Sequence, residues 1–237
     1  MKASVILLAA GKGSRFGSSS PKQFYLLGGK PVLAHSLETF GRCAEISEIV
    51  LVTAEEDVDY AGEIADAYGF GKVTRVVPGG KERQDSVRNG LHFVSPNADV
   101  VLIHDAARPF VAPEDVKKLI KLTKFHGCCV LGVRAKDTVK ICDANNGVVS
   151  APDRDFVWLM QTPQAFWSDV IIKAHEKAEA ENFYGTDDAM LTERLGYKTL
   201  VVEGSYDNFK ITTSADIALA EAVLRRRAEE IAPCSKT

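Results

Sequence analysis

Short runs rich in Val, Ile and Leu alternate with longer segments of helical period along most of the chain. The runs are "ASVILLAA" (3–10), "EIVLVTA" (48–54), "KVTRVVP" (72–78), "ADVVLIHDA" (98–106) and "GCCVLGVRA" (127–135). Between them, "PVLAHSLETF" (31–40), Glu55 to Tyr68, Glu82 to Val94 and "APEDVKKLIKL" (112–122) carry helical patterns, with Pro31 suited to a first helical turn. A strand covered by helices on both faces of a parallel sheet reads as an unbroken apolar run. Strands and helices alternating on this spacing predict βαβ units and an α/β fold.

The rhythm breaks at residues 136–155, "KDTVKICDANNGVVSAPDRD". Here "DTVKIC" and "GVVSA" flank "DANNG", and Asn146-Gly147 is a two-residue hairpin signal. A hairpin standing out from the sheet is marginal alone. It either lies on the sheet edge or reaches into a partner subunit. Afterwards "FVWLMQTPQAF" (156–166) reads as a short strand, and "SDVIIKAHEKAEAE" (168–181) as a helix with Ser168 as N-cap. "TDDAMLTERLG" (186–196) is a further helix, "YKTLVVEG" (197–204) a strand, and Ser214 to Ala228 a closing amphipathic helix. With no internal repeat, low-complexity segment or linker, residues 1–237 are expected to form a single domain.

At 237 residues the chain can bury a self-sufficient core. Its net charge of −3 offers no bulk attraction for nucleic acid or an anionic membrane, so an anion site must come from local cations. The five cysteines (Cys43, Cys128, Cys129, Cys142 and Cys234) include no C-x-x-C pair and suggest neither a disulfide framework nor a zinc site. No signal-peptide profile follows Met1, and no apolar stretch approaches the ~20 residues that span a bilayer. These features lead us to expect a cytoplasmic, reduced protein.

The first loop, "LLAAGKGSRFGSSSPKQF" (7–24), fails both familiar phosphate-loop tests. Gly11, Gly13 and Gly17 give G-x-G-x-x-x-G, one residue too long for the dinucleotide fingerprint, and no G-x-x-x-x-G-K-[ST] occurs. The physics of an anion loop survives: glycines let consecutive N–H groups approach an anion, and Arg15 and Lys22 add charge at the carboxyl end of the first strand. A second loop, "VPGGKERQDSVRNG" (77–90), places freed amides beside a helix start carrying Arg83 and Ser86. In a third, "LIHDAARPF" (102–110), Asp105 at a strand's end is a metal-linked or hydroxyl-binding acid, or the partner of Arg108 in a loop salt bridge. Asp187-Asp188 reads as a helix cap, and His104 as a packed strand residue.

Taken in order, "LAAGKGSRFG", "PKQF", "GGKERQDSV", "HDAARPF", "DTVK", "QTPQAF", "TDDA" and "NFKIT" resemble the 2-C-methyl-D-erythritol 4-phosphate cytidylyltransferase family, from residue 5 to about 213. Phe24 and Phe209 stand where that family commonly has Tyr and Ile, and both remain apolar. The resemblance implies a nucleotidyltransferase-type three-layer sandwich, Rossmann-like with a mostly parallel sheet, and a homodimer joined through the protruding arm. It implies CTP, with Mg²⁺, reacting with methylerythritol phosphate to give the CDP-alcohol and pyrophosphate. By motif position, Ala9, Ala10, Gly11, Gly13, Gly80, Ser86, Asp105 and Ala106 would hold CTP. Arg15, Lys22 and Lys210 would clamp its phosphates as the catalytic cations. Asp105, Arg108 and Thr162 would face the sugar phosphate, with Thr138 and Arg154 coming from the neighbouring subunit; the metal ligands stay unassigned.

Two other functions share parts of this pattern. A sister group transfers CMP to ribitol 5-phosphate and tends to carry "AGG" and "DAVRP", where this chain has Ala9-Ala10-Gly11 and Ala106-Ala107-Arg108. A non-catalytic nucleotide-binding regulator would have lost phosphate-handling cations, and this chain keeps them all. The transfer itself needs no general base, because a phosphate monoester with a second pKa near ~6 is already close to dianionic at neutral pH.

Overall fold

The computed structural model describes residues 2–11 and 21–231. In chain order its elements are β1 (Ala3–Ala9), β2 (Leu26–Leu27), β3 (Lys30–Pro31), α1 (Val32–Arg42), β4 (Ile46–Thr53), α2 (Val58–Ala67) and β5 (Val73–Pro78). Then come α3 (Arg83–Leu91), β6 (Val100–Asp105), α4 (Pro113–His126), β7 (Cys128–Arg134), β8 (Ile141–Cys142) and β9 (Val148–Ser150). The chain continues through β10 (Trp158–Trp167), α5 (Ser168–Ala180), α6 (Asp188–Glu193) and β11 (Leu200–Glu203) to α7 (Ala215–Ile231).

Seven strands form one sheet in the order β11-β7-β10-β6-β1-β4-β5. All pairings in it are parallel except those of β10, which runs antiparallel to both β6 and β7. Side chains alternate along each strand and feed a core on each face. Val5, Leu7 and Leu51 pack with Leu37 and Phe40 of α1, Ile64 of α2 and Leu119 of α4. Ile6, Val50 and Ile103 pack on the opposite face with Val87 of α3, Ile171 of α5 and Ala189 of α6. Helix α3 lies so close to the sheet that a Cβ on Gly90 would sit 2.8 Å from Cγ2 of Ile6. Helix α7 covers a smaller cluster of Val32, Phe110, Ile211 and Ala220.

The three-layer α/β sandwich is therefore as expected, with two local differences. Ser168 does not cap α5: it begins the helix, Trp167 is the N-cap, and the buried Ser168 hydroxyl has no hydrogen-bond partner. The β8–β9 hairpin is present, but its connection runs from Asp143 to Gly147. Asp143 Oδ1 accepts from the amides of Asn145 and Gly147 at 2.9 and 2.8 Å, which builds a wider loop with Asn146 left-handed at φ 64°.

Candidate active site

Two clefts meet at the carboxyl ends of β1 and β6. The chain runs from β1 outward to β4 and β5 and then returns to β6 on the other side of β1. Open α/β sheets bind ligands at such a reversal of strand order.

The first cleft, about 270 Å³, is lined by Leu8, Ala9, Ala10 and Gly11 from the end of β1, and by Lys22 and Gln23. Opposite lie residues 80–83 and Ser86, with Asp105, Ala107 and Lys210 completing the wall. The start of α3 is fixed by a capping box between Glu82 and Asp85. Ser86 Oγ accepts from the Gly80 amide at 3.0 Å and donates to the Glu82 carbonyl at 3.2 Å. A Cβ on Gly79 would fall 2.6 Å from the Ala10 Cβ and 2.8 Å from Ser86 Oγ, so only glycine lets the two loops approach. The readings of Gly13 and Arg15 lie outside the described residues. Ala106 is buried and lines neither cleft: its amide donates to the Leu8 carbonyl and its own carbonyl accepts from Ser36, and Ala107 takes its place in the wall.

Asp105 joins the two clefts. Its Oδ2 lies 2.7 Å from Lys210 Nζ and its Oδ1 3.3 Å from Arg83 Nε. Burial pushes its carboxyl up, but Arg83, Lys210 and Arg108 outweigh that and hold it well below the usual carboxylate range. Arg108 makes no ion pair with Asp105 within 4 Å; its Nη1 donates instead to the Asn208 carbonyl at 2.8 Å. The loop salt bridge considered from the sequence is thus replaced by pairs with Arg83 and Lys210.

The second cleft, about 340 Å³, shares Arg83, Asp105 and Lys210 with the first and adds Arg108, Met160, Gln161, Thr162, Gln164, Thr186 and Asp187. Thr162 Oγ1 accepts from the Asp105 amide at 3.0 Å and lies 3.1 Å from His104 Nδ1. The register of β10 shifts between Met160 and Gln164, and there Gln161 turns to donate to the Ser205 carbonyl at 3.0 Å. His104 is fully buried, which lowers its pKa to about 4. Its ring packs edge-on against Phe40 at 5.0 Å, as a structural residue does.

Thr138 and Arg154 line neither cleft, and Arg154 Nη1 donates to the Lys136 carbonyl at 3.1 Å. The hairpin carries exposed Ile141, Val148 and Val149, followed by Phe156 at 81% exposure. In the sequence Arg83 stands out only as part of a helix start, and nothing there marks Gln84. Gln84 holds the 183–185 segment against α3, donating to the Phe183 carbonyl at 2.9 Å and accepting from the Gly185 amide at 2.9 Å. Asp187 is the N-cap of α6, as expected, but Asp188 turns inward to Arg83.

The family profile described as 2-C-methyl-D-erythritol 4-phosphate cytidylyltransferase matches residues 3–226. A protein of that name from Clostridium botulinum (strain Okra / Type B1) is 45% identical over 225 residues, covering 95% of this chain and 98% of the relative. One from Caldanaerobacter subterraneus subsp. tengcongensis is 41% identical over 227 residues, covering 95% of this chain and all of the relative. Among solved structures, 4-diphosphocytidyl-2C-methyl-D-erythritol synthase from Anaerococcus prevotii superposes with a TM-score of 0.84 at 37% identity, over 95% of this chain and 96% of that one. The Thermus thermophilus cytidylyltransferase gives 0.78 at 31% identity, over 95% and 100%. On this likeness, which runs through both clefts, the chain belongs to the 2-C-methyl-D-erythritol 4-phosphate cytidylyltransferase family.

Proposed function

We propose that this enzyme transfers CMP from CTP to 2-C-methyl-D-erythritol 4-phosphate, releasing pyrophosphate and forming 4-diphosphocytidyl-2-C-methyl-D-erythritol. The observation that carries the reading is the pair of clefts sharing one wall of Arg83, Asp105 and Lys210. In the first cleft, Ala9, Ala10, Gly11, Gly80 and Ser86 receive the nucleotide, and Lys22, with Lys210, meets its phosphates. In the second, Arg108 and Thr162 receive the sugar phosphate. A phosphate oxygen of the acceptor attacks the α-phosphorus, a new P–O bond forms, and the α–β bond breaks to expel pyrophosphate. Positioning two anions and neutralising their charge is the main demand of such chemistry, and fixed cations meet it.

The donor set fits a Mg²⁺ that arrives with the triphosphate. Among the described residues no three His, Cys, Asp or Glu side chains gather to hold a metal. Mg²⁺ characteristically takes one or two carboxylates plus substrate phosphates, and Asp105 is the carboxylate common to both clefts. When bound, the ion would neutralise charge on the triphosphate and on the leaving pyrophosphate.

The arm completes the site in a homodimer under this reading. Its exposed apolar face supports burial against a second copy, which would bring Thr138 and Arg154 to the partner's second cleft. One nucleotidyltransferase domain spans 1–237, with its arm at about 136–155. The buried free thiols of Cys43, Cys128 and Cys129 suit a reducing cytoplasm. No helix among the described residues is long and apolar enough to cross a membrane. Identifying the product of CTP and methylerythritol phosphate by phosphorus NMR tests the reading: a diphosphate diester supports it, and its absence rejects it.

A further inference from the structure

Asp188 lines neither cleft. At the start of α6, with its side chain 1% exposed, it places Oδ2 2.7 Å from Arg83 Nη1 and Oδ1 3.2 Å from Nε2 of His175. His175, on α5, is 2% exposed, and its buried Nδ1 has no hydrogen-bond partner, so its ring is tethered through Asp188. Arg83 then reaches Asp105 through Nε, and Asp105 reaches Lys210. A line of groups therefore runs from α5, on one face of the sheet, to the wall between the clefts.

A buried ion pair is a weak source of stability, because desolvation offsets most of the Coulomb attraction. What it does supply is direction. A guanidinium is a rigid planar fork, and two carboxylates on different nitrogens fix its plane. With Nη1 on Asp188 and Nε on Asp105, Nη2 has no acceptor among the described residues.

We propose that Asp188 is a positioning residue for the transfer step: it holds Arg83 across the shared wall, so that Arg83 leaves Lys210 its place on Asp105 and offers its remaining N–H groups to the phosphates of both substrates. This rests on the cytidylyltransferase reading above. Without the Asp188 charge, Arg83 closes on Asp105 as a bidentate pair and competes with Lys210.

Asp188→Asn keeps the shape and one acceptor while removing the charge, which makes the site more positive by one. The expected result is CTP affinity, measured by calorimetry, unchanged or tighter, with kcat reduced roughly 10²-fold, the scale of a misplaced reacting group. A role confined to folding would instead lower Tm and weaken CTP binding while leaving kcat per folded molecule intact; that pattern overturns the proposal, as does a wild-type kcat. Arg83→Lys keeps charge but loses the fork, and adding Asp188→Asn to it should cost less than about threefold more, because both changes break one unit. Full additivity contradicts the mechanism. Should Asp188→Asn fail to fold, Arg83→Lys decides alone: lost kcat with retained CTP affinity supports the role of the fork, and normal kcat overturns it. Wild-type turnover measured alongside separates the two readings. An inactive wild type overturns the transferase reading and this role with it, whereas an active Asp188→Asn beside an active wild type overturns this role alone.

Discussion

Lys210 Nζ stands 2.7 Å from Asp105 Oδ2 although 105 residues separate them in the chain. The contact joins the "NFKIT" segment after β11 to the end of β6, and it sets one cation where both clefts open. Lys210→Met removes that charge while Arg83 still accompanies Asp105. We expect kcat to fall by ~10²–10³, the cost of losing one charge-stabilising donor elsewhere, with Tm within a few degrees of wild type. Steady-state kinetics and a thermal melt check both halves.

Gly79 tests the approach of the two loops that wall the first cleft. In Gly79→Ala the added methyl would meet the Ala10 Cβ and Ser86 Oγ below contact distance, so one loop must withdraw. Overpacking of this kind costs about 1–3 kcal/mol. Calorimetry should show CTP binding weakened by at least about tenfold, while acceptor affinity changes little.

Stability should fall in mild acid because of His104. Burial lowers its pKa to about 4, against 6.5 for a free ring. Between those values the unfolded chain binds a proton that the folded chain refuses, so stability present above pH 6.5 is lost as pH falls toward 4, by up to about 3 kcal/mol. Half-buried His35 is shifted the same way. Urea unfolding at pH 7.5 and 5 measures the slope, which His104→Gln should reduce. Asp105 adds a separate loss only below its unfolded value, since its carboxyl is held low in the fold.

The arm is tested by complementation. The Lys22→Ala and Arg154→Ala proteins should each be nearly inactive. Mixed and allowed to exchange subunits, they should regain activity, because one hybrid site carries both wild-type residues. No recovery after confirmed exchange would place Arg154 outside the partner's site.

Much of this architecture was legible from apolar runs, because strands buried on both faces have little choice of residue. The direction of β10 was not read, although a signal existed. Between "GCCVLGVRA" and "FVWLMQTPQAF" the chain holds only a hairpin, and a parallel return needs a longer crossover, usually helical. The site divides in the same way. Asp105, Lys210, Ser86 and Thr162 stand in recognisable strings and line the clefts or bond to residues that do. Asp188 was hidden by its neighbour, since two adjacent acids at a helix start look like a cap. Only its spacing to the buried Leu191 and Thr192, three and four residues on, marks it as facing inward. Arg83 was obscure because its importance lies in two partners far off in sequence, Asp105 and Asp188.

Pyrophosphate release with CTP and Mg²⁺, measured with methylerythritol 4-phosphate and with ribitol 5-phosphate as acceptors, tests the proposed transfer. Rapid release with methylerythritol 4-phosphate and only background release with ribitol 5-phosphate is the predicted result. Release with ribitol 5-phosphate alone, or with neither acceptor, would contradict it.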